Sequence, residues 1–248
     1  MKKEGLASKT VRNYLTTLRS MWESACDEYG WELRDPFRDL EGFIPDKVQA
    51  EGPEGLNPPG LVWRFDEVML IIDHMDARQR NVTVFMFLTG LIASEIAGLR
   101  KEDIQRDYLL VRNFTTRKEQ DKKIGKKKSR RRKIKITQAI RRCLDEAVLN
   151  SDDEYLFKTV NGLPFAEGTF RKNFWVPALK AAGFDYKKPY STRHTFAAWS
   201  LLIGIIPTHL VAKMGHASKK MVYEEYGEWV EGLEEDKKKI LGYMGKDY

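Results

Sequence analysis

Apolar residues recur at helical spacing along most of this chain. One stripe runs from Val11 to Cys26, and further stripes lie within residues 65–100, 138–149 and 190–214. Apolar positions three and four residues apart fall on one face of a helix, and that face can pack on a core. The pattern therefore predicts a protein that is mainly α-helical.

Two short stretches instead have the character of strands, and the second of them alternates charged and apolar positions. They are DYLLVRN at residues 107–113 and RRKIKIT at residues 131–137. A period of two is typical of strands that lay one face on the core. The segment between them is highly charged, so we expect a basic hairpin with one strand at each end. The predicted fold is mainly α with a small antiparallel β-sheet.

Several element boundaries are marked by residues suited to them. Thr137 is expected to cap one helix, Pro207 to begin another and Gly90 to end a third. The sequence DEYLFKTVNGLPF at 153–165 predicts a short strand with a glycine turn. One continuous amphipathic helix is predicted within GTFRKNFWVPALKAAG at 168–183.

A stretch rich in proline and glycine divides the chain into two parts. We place a linker at residues 46–64, a partial helical domain at 1–45 and a larger domain with a C-terminal tail at 65–248. One long helix and a turn bury little apolar surface. We therefore expect residues 1–45 to be a fragment of a larger helical domain or to dock on the rest of the chain.

The charge of the chain favours a polyanionic partner. The 248 residues carry a formal net charge of +7. Thirteen lysines and arginines lie between Arg112 and Lys135, against two acids. A run of this kind is either a solvated loop or a hairpin that contacts phosphates in a salt-dependent way. The candidate DNA-binding residues are Lys128, Arg130, Arg131 and Arg132 of this hairpin, with Arg12 and Arg19 on the polar face of the first helix, where a solvated surface is the alternative.

Composition also excludes several classes of protein. No stretch is long and apolar enough to span a bilayer, and no signal peptide is recognisable. The two cysteines and four histidines lack the spacing of metal ligands. Cys143 shares an apolar helix face, so we expect a buried, inert thiol. The expectation is a cytoplasmic protein without a metal.

The candidate chemistry lies between residues 190 and 226. Arg193 precedes an apolar helical run, His216 follows Gly215 one helix later, and Tyr226 lies ten residues after His216. An arginine fork can hold the oxygens of a phosphate, a histidine can donate to them or move protons, and a tyrosine can attack phosphorus. Taken singly, each residue has a purely structural alternative, namely a salt bridge, a helix cap or core packing.

These motifs together resemble the tyrosine recombinases of the phage-integrase family. The matching pieces are RHTFAAW (193–199), KMGHASKKM (213–221), YEEYGEW (223–229), TGLIASEIAGLRKEDI (89–104) and KKKSRRRKIKI (126–136). The resemblance implies that Tyr226 forms a 3′-phosphotyrosyl link with DNA. Arg193 and His216 would then contact the phosphate, and Lys127 or Lys126 would protonate the leaving oxygen. Tyr190 stands where the family has its first histidine.

One departure from the family pattern concerns its first catalytic arginine. That residue should follow Thr89-Gly90-Leu91, but position 92 is isoleucine, which cannot bind a phosphate oxygen. Losing one such contact typically costs ~10²–10³ in rate. Arg100 is not assigned as a replacement, and Glu95 matches an acidic position that supports the site.

The sequence thus leaves three hypotheses. The first is site-specific DNA recombination at double-stranded attachment sites, without a cofactor, by a protein that is monomeric in solution, assembles as a tetramer on DNA and associates with the nucleoid. The second is DNA binding without cleavage, by a weakened or truncated integrase. The third is a helical interaction protein whose basic hairpin is a solvated loop.

Overall fold

The computed structural model describes residues 8–43, 61–112, 131–159, 162–215, 230 and 232–245. Contacts divide the chain into two compact units, Met1–Pro58 and Pro59–Tyr248. The predicted fold class is confirmed, because the described residues form ten α-helices, a π-helical segment, short 3-10 turns and one sheet of two strands.

The first unit contains one long helix. Helix α1 spans Ser8–Tyr29, and a 3-10 turn follows at Arg38–Phe43. Arg19 of this helix contacts the loop that follows it, because its Nη2 donates to the carbonyl of Phe37 at 2.7 Å. Much of the predicted apolar stripe is exposed within the described structure, including Tyr14, Leu18 and Met21. The unit therefore has no packed core of its own among its described residues.

The second unit holds the core. Its helices and strands are, in chain order, α2 (Phe65–Asp73), α3 (Ala77–Thr89), α4 (Ala93–Ala97), β1 (Tyr108–Val111), β2 (Arg132–Lys135), α5 (Gln138–Leu149), α6 (Glu167–Phe170), α7 (Val176–Ala181), α8 (Ser191–Leu202), α9 (Pro207–Met214) and α10 (Lys237–Met244).

Helix α3 is the centre of this core. It is buried on nearly every face along its second half, from Phe85 to Thr89, and it packs on α5 and α8. Asp76 caps its start by accepting from the amide of Gln79 at 2.9 Å. Gly90 ends it with φ of 63°, a left-handed conformation that favours glycine. The predicted helix end at Gly90 is thus confirmed.

The two predicted strands pair in antiparallel register, with Tyr108 opposite Lys135 and Val111 opposite Arg132. Their inner faces carry Leu109, Val111 and Ile134, which are buried in the core. The alternation in RRKIKIT therefore predicts correctly that Ile134 of β2 faces the core. Thr137 caps α5 and Pro207 begins α9, as predicted. Cys143 is buried on α5, and burial raises the pKa of its thiol to about 12.

Three sequence expectations differ from the structure. The region predicted as a strand near residue 155 forms isolated bridges, Arg100 with Tyr155 and Lys158 with Pro164, instead of a strand. The single helix predicted within 168–183 is interrupted by a π-helical turn at Arg171–Trp175, which rotates Trp175 into the core. The end of the predicted linker belongs to the core, because Trp63 is 1% exposed.

The C-terminal tail packs on its own chain. Helix α10 contacts α8, and its residues Ile240 and Met244 are fully buried. Asp236, just before α10, accepts from the amide of Phe65 at 3.2 Å and thereby joins the tail to the start of α2. The described part of the tail therefore packs on this chain.

Candidate active site

Arg193 lies on the first turn of α8, where three segments of the second unit meet. Its Nη1 donates to the carbonyl of Gly90 at 2.7 Å, and its Nη2 donates to the carbonyl of Met214 at 2.6 Å. The side chain is 6% exposed. Two strong backbone acceptors hold the planar guanidinium in one orientation. The predicted phosphate-binding arginine is therefore fixed in place by the loop after α3 and by the last turn of α9.

Glu95 lies beside Arg193 and binds a second arginine. Arg132 of β2 donates to its two carboxylate oxygens at 2.6 and 3.0 Å, which is a bidentate pair. Side-chain exposure is 6% for Arg132 and 2% for Glu95. Arg193 Nη1 lies 3.9 Å from Glu95 Oε2. Two buried cations thus surround one buried carboxylate.

The loop at Ile92 keeps an ordered backbone although its side chain carries no charge. The amide of Ile92 donates to Glu95 Oε2 at 3.0 Å, which closes the first turn of α4. Ile92 has φ of −84° and ψ of 159°. Glu95 therefore holds this loop, β2 and the neighbourhood of Arg193 together.

The last turn of α9 presents the residue before His216. Gly215 has φ of 66°, and a Cβ placed there would lie 3.1 Å from Nη1 of Arg132. Arg132 Nε also donates to the carbonyl of Lys213 at 2.5 Å. The backbone angle therefore favours glycine at 215, and any other residue would also push on the guanidinium of Arg132.

Two titratable groups near the site are shifted towards their neutral forms. Burial, followed by the charge of Arg193, lowers the pKa of His194 to about 4. Burial, followed by the charge of Lys135, lowers the pKa of Lys213 to about 8. His194 is consequently neutral at pH 7, and its ring packs edge-on against Tyr190 with centroids 5.0 Å apart.

The structure describes only some of the residues singled out by the sequence. It brings together Arg193, Glu95 and the backbone that leads into His216. Tyr190 lies at the N-terminal end of α8 with 44% of its surface exposed. Outside the described residues lie Lys126, Lys127, Lys128, Arg130, His216 and Tyr226.

The predicted DNA-binding arginines fall in different environments. Arg131 is exposed just before β2, whereas the guanidinium of Arg132 is directed at Glu95 and not at solvent. Arg12 and Arg19 belong to the first unit, where Arg19 also lies 3.5 Å from Asp35. The burial of Arg132 follows from strand alternation, because it shares a face with buried Ile134.

A guanidinium held in one orientation can bind an anion. The buried guanidinium of Arg193, with its two fixed backbone contacts, favours a phosphate oxygen more strongly than an exposed arginine would. Among the described residues, no group of three or more His, Cys, Asp or Glu side chains could hold a metal ion. In the same part of the chain, no helix has both the length and the apolar character to cross a membrane.

Comparison with known proteins identifies relatives of the whole second unit. The model of the phage integrase family matches residues 62–229. Two curated proteins of Escherichia coli strain K12 are each 26% identical. The prophage integrase IntR aligns with 96% of this chain and 62% of its own length, and IntQ, whose name describes it as a defective protein, with 91% and 61%. The chain therefore spans about three fifths of the length of the curated relatives that it matches.

A solved structure shares the fold. The integrase of transposon Tn1549, solved in complex with a circular intermediate DNA, has a TM-score of 0.69 to this chain and is 20% identical. The match covers 91% of this chain and 77% of that one.

Proposed function

Because this chain belongs to the phage integrase family, whose model matches residues 62–229, we propose that it breaks and rejoins duplex DNA at specific sites. The observation that carries the proposal is the buried guanidinium of Arg193, which two backbone carbonyls hold in a fixed orientation. In a phosphoryl transfer, preorganised cations at the non-bridging oxygens are typically the largest catalytic contribution.

The proposed reaction is a transesterification. The hydroxyl oxygen of Tyr226 attacks the phosphorus, the bond from phosphorus to the 5′ oxygen breaks, and a 3′-phosphotyrosyl link forms. As it attacks, the tyrosine releases its proton to solvent water, and the departing 5′ oxygen takes a proton from Lys127 or Lys126. Arg193 and His216 hold the non-bridging oxygens, where negative charge accumulates. Rejoining is the same step in reverse with a new 5′ hydroxyl.

The proposed partner is a double-stranded DNA attachment site. The net charge of +7 and the basic segment between β1 and β2 support this partner, and a fold relative was solved in complex with DNA. We further propose a protein that is monomeric in solution, forms a tetramer on paired sites and acts at the nucleoid. Lys128, Arg130 and Arg131 of the hairpin are its proposed phosphate contacts, together with Arg12 of the first unit.

A second candidate function is DNA binding without cleavage. It is favoured by Ile92, because the apolar side chain at this position supplies no charge to a transition state. Restoring a cation there distinguishes the two functions. An enzyme that works without this charge is already active, whereas a silenced scaffold gains activity with Ile92→Arg.

The test is covalent trapping on nicked duplexes tiled across the DNA that flanks the gene. A nick near the cleavage point lets the short leaving strand diffuse away, so the protein–DNA adduct accumulates and is resolved on a denaturing gel. An adduct formed by the wild type and lost in Tyr226→Phe supports strand cleavage. An adduct formed only by Ile92→Arg supports DNA binding without cleavage.

A further inference from the structure

Glu95 is a buried carboxylate within reach of two guanidinium groups that it binds unequally. Arg132 contacts both carboxylate oxygens, at 2.6 and 3.0 Å. Arg193 Nη1 lies 3.9 Å from Oε2 of the same group, which is beyond hydrogen-bonding distance. The two Nη atoms of Arg193 donate instead to the carbonyls of Gly90 and Met214.

Glu95 pairs with Arg132 in preference to Arg193, so the position of Arg193 depends on Arg132. A buried carboxylate that loses its partner is strongly destabilised and binds the nearest remaining cation. Among the described residues that cation is Arg193, which needs to move by only ~1 Å to form a charge-assisted hydrogen bond. Such a move would draw the guanidinium of Arg193 off its two carbonyls and neutralise its charge.

We propose that Arg132 is a positioning residue that neutralises Glu95 and so leaves Arg193 directed at the phosphate. The inference rests on the proposed function, because it assumes that Arg193 binds a DNA phosphate. Arg132 is suited to the role because a planar fork satisfies both carboxylate oxygens, while its Nε binds the carbonyl of Lys213. Glu95 is thereby held where it also accepts from the amide of Ile92.

A double-mutant cycle tests the proposal. Arg132→Gln should slow adduct formation at saturating DNA by ~30-fold or more, because Glu95 captures Arg193. Adding Glu95→Gln removes the carboxylate that would bind Arg193. The double variant should therefore form the adduct ~10-fold faster than Arg132→Gln alone. Lys133→Gln, which removes an exposed charge from the next position of β2, is the matched control and should stay within ~2-fold of the wild type.

Rates are measured per mole of folded protein, well below the unfolding temperature of each variant. A double variant that is as slow as Arg132→Gln, or slower, overturns the proposal, because a purely structural role for Arg132 predicts no recovery of the rate in protein that is already folded.

A binding measurement decides the proposal without any chemistry. Arg193→Gln should weaken binding to an intact duplex by ~5-fold in the wild-type background, because a charge-assisted phosphate contact is lost. In the Arg132→Gln background, Arg193→Gln should weaken DNA binding by less than ~2-fold, because Arg193 is already bound to Glu95. An equal loss in both backgrounds, or no loss in either, overturns the proposal. If the wild type forms no adduct, the proposed function fails, and these affinities alone decide the role of Arg132.

Discussion

Single residues at the site are constrained by close packing as well as by chemistry. Gly90 illustrates this, because it ends α3, offers its carbonyl to Arg193 and has a φ of 63°. A Cβ at this position would lie within 2.9 Å of Cγ of Phe196, which is buried in the core. Any side chain at this position is thus disfavoured by the backbone angle and by the contact with Phe196.

We predict that Gly90→Ala is much more destabilising than Gly183→Ala. Both glycines have positive φ, at 63° and 79°, but nothing lies within 4 Å of a Cβ at Gly183. Gly183→Ala should therefore cost ~1 kcal/mol from the backbone alone. Gly90→Ala adds overpacking, for a further ~1–3 kcal/mol. Urea unfolding measures the loss of unfolding free energy in each variant. Equal losses would contradict the prediction, because they would show that Phe196 moves away from the new Cβ without destabilising the core.

The second residue-scale prediction concerns pH. The pKa of His194 is about 4 when folded, below its ordinary value of 6.5, so the unfolded chain binds more protons between these values. The stability that neutral His194 provides is complete above pH 6.5 and is lost as the pH falls towards 4. His194→Gln should therefore flatten the fall in unfolding free energy between pH 6.5 and 4. The free energy of unfolding is measured by urea unfolding at each pH. If it falls equally in the wild type and in His194→Gln between pH 6.5 and 4, the lowered pKa of His194 is contradicted.

The motif around Arg193 predicts a phosphate-binding arginine, but it does not predict which groups hold that arginine in place. Arg132 was assigned to DNA because it lies among many basic residues, and composition does not distinguish a buried arginine from an exposed one. The distinction depends on Glu95, which is 37 positions away in sequence. A pairing over that distance follows from the fold and not from any local pattern.

Among the elements, α8 binds the residues that precede α2 through three hydrogen bonds of Trp63. The indole of Trp63 donates to Ser191 Oγ at 2.8 Å, and its amide donates to Thr195 Oγ1 at 3.0 Å. Trp199 returns a hydrogen bond to the carbonyl of Trp63 at 3.1 Å. The residues before α2 are thus bound along one side of the helix that carries Arg193.

The tail covers part of the same helix, and its contribution can be measured. Ile240 is fully buried, whereas Leu241 is 41% exposed. We predict that Ile240→Ala destabilises the protein by ~2–4 kcal/mol, because it leaves a cavity in the core. Leu241→Ala is the control and should cost less than ~1 kcal/mol. Equal and small effects in denaturant unfolding of the isolated chain would show that α10 does not pack on its own chain.

Element boundaries were predictable where a single residue determines them. Gly90, Thr137 and Pro207 each favour one local geometry, and the structure follows them. The π-helical turn at Arg171–Trp175 was missed because its cause is not local. Trp175 is fully buried and donates to the carbonyl of Lys187 at 2.7 Å, a contact that depends on tertiary packing. The spacing of apolar residues in the sequence predicts a helix here. It does not show that one turn of that helix contains an extra residue, as a π-helical turn does.

At the scale of the whole molecule, the positive charge is unevenly distributed along the chain. The segment between β1 and β2 concentrates lysines and arginines, while elsewhere acids and bases nearly balance. Removing positive charges from this segment therefore tests whether it contacts phosphates or is solvated. The charges chosen are those of Lys126, Lys127, Lys128 and Arg130. Each phosphate contact contributes ~0.9 to the slope of log K against log salt concentration.

We predict that changing these four residues to glutamine lowers that slope by ~2–3 on duplex DNA, with the affinity falling across all sequences. The matched control changes four exposed cations on α5, α7 and α10 to glutamine, namely Arg142, Lys180, Lys237 and Lys238. It makes the same change in net charge, so a general electrostatic attraction would weaken binding equally in both variants. A slope that falls only in the first variant shows that the segment between β1 and β2 contacts phosphates, because counterions are released only where side chains meet the DNA backbone.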